Sequence, residues 1–398
     1  MFDAIVVGAR CAGSPTAMLL ARAGHRVLLL DRASFPSDTL STHVIHQPGV
    51  AALARWGVLD AVRATGCPPL DLVRYEVADV RVEGCAHGVA GQRASYAPRR
   101  HVLDTILVEA ATAAGAELRE GCRITGLLHD DSGRVVGVEG SHRGRRFTER
   151  ARLVVGADGM RSTVARLAEA RCTVRDPKLT CAYYSYWTGV PAAVELYEEA
   201  GSWVAAAPTN DGATLVLTYF PQSRFGEVRA DPLRAHLERV RTTAPALHDR
   251  LRGGERIERL RGTGDQQNFF RQAAGRGWAL VGDAGHHKDS ITARGISDAF
   301  RQAELLVQRV ADRLTGDPAL LDQALAQYAQ ERDAALLPGY RSTIEVARLA
   351  PPNERRLALL RAVQADPELT ATYFDVFAGT RPASALHTPR LLELLGAA

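Results

Sequence analysis

Ala4-Ile5-Val6-Val7-Gly8-Ala9-Arg10-Cys11-Ala12-Gly13-Ser14, continued by Val27-Leu28-Leu29-Leu30-Asp31-Arg32, is the stretch whose reading decides the fold. The four apolar residues before Gly8 read as a strand buried on both faces. Gly8 and Gly13 bracket a tight turn. Ala17, Leu20, Ala21 and Gly24 follow at helical spacing, with Gly24 as a helix stop. Asp31 closes a second strand about 20 residues beyond the turn, where the dinucleotide fingerprint places its ribose-binding acid. A helix N-terminus carries unpaired N–H groups and partial positive charge, so it holds a pyrophosphate, while Asp31 accepts hydrogen bonds from a ribose. The usual middle glycine of G-x-G-x-x-G is replaced by Arg10. A Cβ at that position means that either the turn widens or the guanidinium itself meets the phosphate. A βαβ unit that packs without a ligand is the alternative; the strand before the turn and the acid after it favour a dinucleotide.

The 398 residues suggest two or three structural units sharing a core. Net charge is +4, with Lys178 and Lys288 the only lysines. That mild balance argues against nucleic acid and leaves anionic ligands open. Cys11, Cys67, Cys85, Cys122, Cys172 and Cys181 lack C-x-x-C spacing and read as reduced intracellular thiols. Met1-Phe2-Asp3 leads straight into the first strand, so no signal peptide is expected. No apolar run approaches the length of a membrane span. The expected location is the cytoplasm.

Ala33 to Gly49 is a long irregular segment rich in hydroxyls and imidazoles, read as a ligand-facing loop. A short helix, Val50 to Trp56, follows it. Residues 72 to 98 alternate as strands do, and Leu103, Ile106, Leu107 and Ala110 make one helical face, with Arg100 just before that helix. Residues 123–128 and 135–139 read as a hairpin, and Arg152-Leu153-Val154-Val155 as a strand running into Gly156-Ala157-Asp158-Gly159. From about 172 the texture becomes antiparallel: 182–190, 202–207 and 213–220 as strands, then a helix near 232–241 and a strand near 256–260. The chain returns to the first unit at Trp278-Ala279-Leu280-Val281, followed by Gly282-Asp283-Ala284-Gly285-His286. A helix then carries Ile296, Ala299, Phe300, Ala303, Leu306, Val307 and Val310 on one stripe. The expected organisation is α/β: a Rossmann-like domain over 1–170, an inserted α+β substrate domain with an antiparallel sheet over 171–272, a return to the first domain over 273–335, and a helical segment over 336–398 broken near Pro351-Pro352.

Four of these segments, in order, match one family: the strand–GARCAG–helix with Asp31-Arg32, the Arg100-x-x-Leu103 helix, Gly-Ala-Asp158-Gly, and Gly-Asp283-Ala-Gly-His. Through them the chain resembles the FAD-dependent monooxygenases of the p-hydroxybenzoate hydroxylase superfamily, which includes flavin-dependent halogenases and geranylgeranyl reductase-like enzymes. The resemblance spans residues 1 to about 310. It implies that Gly8, Arg10, Cys11, Ala12, Gly13, Asp31 and Arg32 hold the ADP half of FAD. It also implies that Thr42 faces the flavin, that Arg100 reaches the pyrophosphate, that Asp158 helps position FAD, and that Asp283 bonds the ribityl hydroxyls. The helix opening at Gly295-Ile296 would aim its N–H groups at the flavin N1–C2=O edge, where reduced flavin carries negative charge. For Asp158 and Asp283 the alternative role is a turn residue capping a strand end. The proline- and glycine-rich stretch of many hydroxylases is replaced by residues 288–296, nearer the halogenase and reductase branches. The halogenase W-x-W-x-I-P motif is absent, and no lysine precedes Lys178, so halogenation is not expected.

The resemblance implies a monooxygenase in which NAD(P)H reduces FAD and a flavin C4a-hydroperoxide hydroxylates or epoxidises an aromatic or polyketide-like small molecule. NAD(P)H would bind transiently, or a separate flavin reductase would supply the electrons. A C–C bond reductase or dehydrogenase working through flavin N5 is the second reading, and a flavin-holding scaffold protein the third. His43 and His46, on the loop expected to pass the flavin, are the candidate acid–base residues; structural loop histidines are the alternative. No metal site is expected, because no acid or cysteine partners these histidines at ligand spacing. Tyr184, Tyr186, Trp203, Tyr219 and Phe220 are candidates to roof the substrate, or to pack as ordinary strand residues. Gln266, Gln267 and Asn268 could add polar specificity.

Overall fold

The computed structural model describes residues 1–396. The all-apolar run β1 (Phe2–Val7) passes through the glycine turn into α1 (Gly13–Arg22) and β2 (Val27–Leu30). Helix α2 (Gln47–Arg55) ends the long loop, and β3 (Val73–Val77) and β4 (Val80–Gly84) form a hairpin. Helix α3 (Arg100–Ala113) leads to β5 (Glu117–Arg119) and the meander β6 (Cys122–His129), β7 (Val135–His142) and β8 (Arg145–Gly156). Next come β9 (Thr180–Thr188), β10 (Val194–Glu199), β11 (Ser202–Pro208), β12 (Thr214–Pro221), β13 (Arg261–Thr263) and β14 (Trp278–Leu280). Four longer helices follow: α4 (Gly295–Val310), α5 (Pro318–Ala347), α6 (Glu354–Gln364) and α7 (Pro367–Ala378).

The first sheet is parallel at its centre. β1 lies between β2 and β8, with Val6 opposite Leu29 and Val155, while β14 flanks β8 and β5 flanks β2. Its strands are apolar on both faces because helices cover both. β8 serves two masters: residues 145–150 pair antiparallel with β7, and residues 151–156 pair parallel with β1. On one face α1, α3 and α4 form a continuous core with Val6, Leu29 and Val155; the predicted stripe of α4, from Ile296 to Val310, is buried throughout.

The second sheet runs in the order β9-β12-β11-β10-β3-β4, antiparallel except where β10 joins β3. The expected boundary of 171–272 therefore misses part of this sheet: residues 73–84, which lie 87 positions before 171, supply its edge hairpin. Their alternation was legible; a parallel pairing across more than a hundred residues was not, because it is a tertiary contact. The strand expected near 256–260 is instead two short pieces, Glu255–Arg256 and β13, both on β9.

Side chains alternate across each strand. Tyr184, Tyr186, Trp203 and Tyr219 lie on the face of the sheet that shares one apolar core with Leu357, Leu360, Val363 and Phe374 of the C-terminal helices. Phe220 faces the other way, against Cys181, Tyr183 and Val228, and so is no part of a shared roof. The helical C-terminus is thus the cover of the second sheet. Glu198, 5% exposed, anchors it: Arg356 of α6 pairs with Glu198, and Tyr75 donates to it at 2.5 Å. No helix among the described residues is long and apolar enough to cross a membrane.

Candidate cofactor and active site

The glycine turn closes against the end of β8. Gly8 adopts φ 104°, and a Cβ there would lie 2.4 Å from the Ala157 carbonyl oxygen. At Gly13 a Cβ would lie 1.7 Å from the Gly8 oxygen. Both glycines are required by this closure. Position 10 is different: it carries a side chain, and its carbonyl accepts the Ser14 N–H at 3.0 Å.

A cavity of about 760 Å³ opens at this turn. Gly8, Arg10, Cys11, Ala12, Asp31, Arg32, Thr42, Arg100, Asp158, Asp283, Gly295 and Ile296 all line it. Of the expected cofactor residues only Gly13 does not; it packs beneath the turn. Residues up to 288 positions apart, Gly8 and Ile296, converge because the strands β1, β2, β8 and β14 all end on this side.

Individual roles are more varied than the motifs imply. Asp31 accepts N–H bonds from Ala9 at 2.7 Å and Ala33 at 2.8 Å, so it braces the turn from beneath while facing the cavity. Asp158 faces its own loop, accepting from Ser162 Oγ at 2.5 Å and from the Thr163 and Val164 N–H groups. It caps the short helix Thr163–Leu167, and burial holds its pKa above the usual carboxylate range. The capping alternative thus describes Asp158. Asp283, by contrast, is exposed to the cavity. Arg100 opens α3 rather than preceding it, and its guanidinium bonds both Asp104 oxygens at 3.0 Å. Arg10 lines the cavity, and its guanidinium bonds Asp104 at 2.6 Å, Ser37 Oγ at 2.6 Å and the Ser37 carbonyl at 3.0 Å.

His43 and His46 do not line the cavity; both are buried in its wall. His43 takes φ 63° and places Nε2 2.6 Å from the Tyr186 hydroxyl. His46 donates from Nε2 to the Thr292 carbonyl at 3.1 Å. Burial depresses their pKa values to about 3 and about 4, so both are neutral near pH 7. The expectation of loop imidazoles open to the flavin is corrected accordingly: the loop turns them inward, under the second sheet and the C-terminal helices. Gln266 and Asn268 are structural as well, bonding Ser290 and Thr180, and Pro177 and Asp289.

Two groups at the site went unread in the sequence. Cys122 to Thr125, the start of β6, line the cavity beside Asp31, whose carbonyl accepts the Cys122 N–H at 2.8 Å. Nothing in the residue pattern of 122–125 signals a cavity wall. Lys288 pairs with Asp298 in the first turn of α4, and the Lys288 side chain is 4% exposed. Its rarity in an arginine-rich chain was the available signal.

The donor set fits a dinucleotide: backbone N–H groups at the α1 and α4 N-termini, Arg100, and carboxylates at Asp31 and Asp283. Such a fold and site define a flavin-dependent oxidoreductase of the p-hydroxybenzoate hydroxylase type. Residues 1–336 match the family described as FAD binding domain, and the chain belongs to it. FAD is its cofactor. It is 28% identical over 345 residues to the digeranylgeranylglycerophospholipid reductase of Methanocella arvoryzae, covering 84% of this chain and 83% of that one. It is 27% identical over 326 residues to the 6-methylpretetramide 4-monooxygenase of Streptomyces rimosus, covering 76% and 73%. Among solved structures, the flavin-dependent brominase Bmp2 superposes with a TM-score of 0.82 at 17% identity, covering 100% of this chain and 98% of that one. The probable FAD-dependent monooxygenase pqsL of Pseudomonas aeruginosa gives 0.71 at 22%, covering 94% and 99%. At these identities the two structures speak for the fold alone.

Proposed function

We propose that this chain is a monooxygenase that hydroxylates or epoxidises an aromatic or polyketide-like small molecule, with NAD(P)H as transient reductant. The observation that carries the reading is the wall between the cavity and the second sheet. There His43 lies 6.0 Å from Tyr184 and 5.8 Å from Tyr186, ring centre to ring centre, and the Arg99 guanidinium lies 4.1 Å over the Tyr186 ring. His43 Nδ1 is buried without a partner among the described residues. An unpaired polar atom in the wall behind the cavity suits a substrate hydroxyl or carbonyl that reaches it when loop residues 39–42 move, and disfavours a ligand that cannot pair with it. An isoprenoid chain has no such groups along its length.

Bound FAD supplies the electron transfer and oxygen activation. The chain's share is binding, orientation and exclusion of water. The turn at residues 8–12, Arg100 and Asp283 hold the cofactor, and the α4 N-terminus favours negative charge before it. His43 is neutral at working pH, and the Tyr186 hydroxyl at Nε2 fixes the orientation of its ring and leaves Nδ1 for a further hydrogen bond. Loop residues 39–42 form part of the cavity wall, and helices α6 and α7 cover the second sheet beside it. Six unpaired cysteines support a place in the reducing cytoplasm.

The test is oxygen labelling. With NADPH or NADH under ¹⁸O₂ and a panel of phenolic and polyketide-type compounds, one labelled oxygen should enter the product. A product that gains two hydrogens and no label overturns this in favour of the second reading, a C–C bond reductase, which the extended match to the archaeal reductases supports. Flavin that neither nicotinamide bleaches would point to a separate flavin reductase.

A further inference from the structure

Arg10 stands where the dinucleotide fingerprint has its second glycine, and its side chain leaves the turn for the loop beside it. The guanidinium bonds Ser37 through both its hydroxyl and its carbonyl, lies 5.4 Å over the Phe35 ring, and is anchored behind by Asp104. Asp104 is fully buried and is held independently by Arg100 and by the Cys11 thiol at 3.2 Å. The next loop residue, Asp38, is held from the opposite side, by Arg261 of β13 at 2.6 Å. Two cations, one from the cofactor turn and one from the second sheet, thus grip adjacent residues of a single loop. The residues immediately after that grip, Thr39 to Thr42, form cavity wall, and Leu40 stays 48% exposed at it.

We propose that Arg10 is a latch: it holds loop 35–42 closed over the FAD cavity, so that cofactor entry and release wait on the opening of this loop. The loop has no ladder of its own to hold it, since residues 34–44 contain neither helix nor strand. Its closure rests on side-chain bonds, and charge-assisted bonds are the strong ones. The substitution of the fingerprint glycine by arginine thereby gains a purpose that phosphate contact does not supply. The inference is independent of which reaction the bound flavin carries out.

Arg10→Met keeps an unbranched stem against Phe35 and removes the guanidinium. Asp104 keeps its bonds from Arg100 and Cys11, so no buried carboxylate is orphaned. Ser37→Ala removes only the loop end of the latch. FAD release from the holoenzyme on dilution, and re-uptake of added FAD, are followed by flavin fluorescence. In Arg10→Met both rates should rise about tenfold, the scale of one lost charge-assisted hydrogen bond. In Ser37→Ala both should rise by less, in the same direction. Faster release with slower uptake, and a silent Ser37→Ala, would mean that Arg10 touches phosphate and would overturn the latch. Unchanged rates in both variants would overturn it too. If Arg10→Met fails to fold by circular dichroism, Ser37→Ala decides alone, and unchanged rates in it sink the proposal.

Discussion

Asp158 and Asp283 occupy matching glycine-flanked turns at the ends of apolar strands, yet their carboxyls do different work. Asp158 spends its oxygens on Ser162, Thr163 and Val164, whereas Asp283 faces the cavity. Asp158→Ala should therefore cost about 1 kcal/mol of stability, the scale of a lost helix cap, with flavin content nearly kept. Asp283→Ala should do the reverse: lower flavin content in the purified protein with little change in melting temperature. Equal flavin loss in both variants would contradict the division. At His43, replacement by Phe should leave flavin bound and lower turnover. The pH profile between 5 and 8 should keep its shape, because the imidazole titrates at about 3. A lost inflection near 6.5 in that variant would show that His43 is exposed to solvent during turnover.

Two elements organise the site, and each answers to a different pattern. Helix α4 obeys a 3.6-residue stripe from Ile296 to Val310, and that stripe alone carries its N-terminus to the cavity. Helices α6 and α7 are placed by the second sheet, through an apolar face and the Glu198–Arg356–Tyr75 cluster. Removing one member leaves a buried charge without its partner. Arg356→Met should destabilise by about 3–5 kcal/mol, measured by urea unfolding. The double change Arg356→Met with Glu198→Gln should recover part of that loss, since it removes the orphaned charge. No recovery would mean that the cluster acts by packing and not by charge.

Across the whole molecule, four histidines are sealed in a neutral form by burial: His43 and His236, each depressed to about 3, His46, to about 4, and His286, lowered well below its ordinary value. Unfolding exposes them, and they bind protons below about pH 6.5. Stability should therefore be fully present above that pH and fall as the pH drops through the window toward 4. Asp289, raised by burial to about 6, opposes this, since its stabilisation is lost as pH rises through that value. Asp158 and His87, both raised, act in the same sense as Asp289, and the four fully buried histidines outweigh them, so melting temperatures should rise from pH 4.5 to 6.5. A flat or falling trend would show that water reaches these histidines in the folded state.

Much of this architecture could be read from residue order. Strand–turn–helix signals are local, so β1, the glycine turn, α1 and β2 followed from about thirty residues, and Asp31 and the Asp283 turn could be placed at strand ends where ligands gather. The α4 stripe and the antiparallel texture after 172 were equally local. Three things were decided only in the tertiary structure. The second sheet takes its edge from residues 73–84 because a parallel pairing joins segments far apart in sequence. The direction of a side chain is set by its neighbours: Arg10 turns to Ser37 and Asp104, and His43 turns inward to Tyr186, although both lie in stretches that point to the cofactor. Residues Cys122–Thr125 join the cavity wall because folding brings the start of β6 beside Asp31. Periodicity and turn chemistry are properties of neighbouring residues and so are written in the sequence, whereas pairing, burial and orientation depend on partners that only folding brings together.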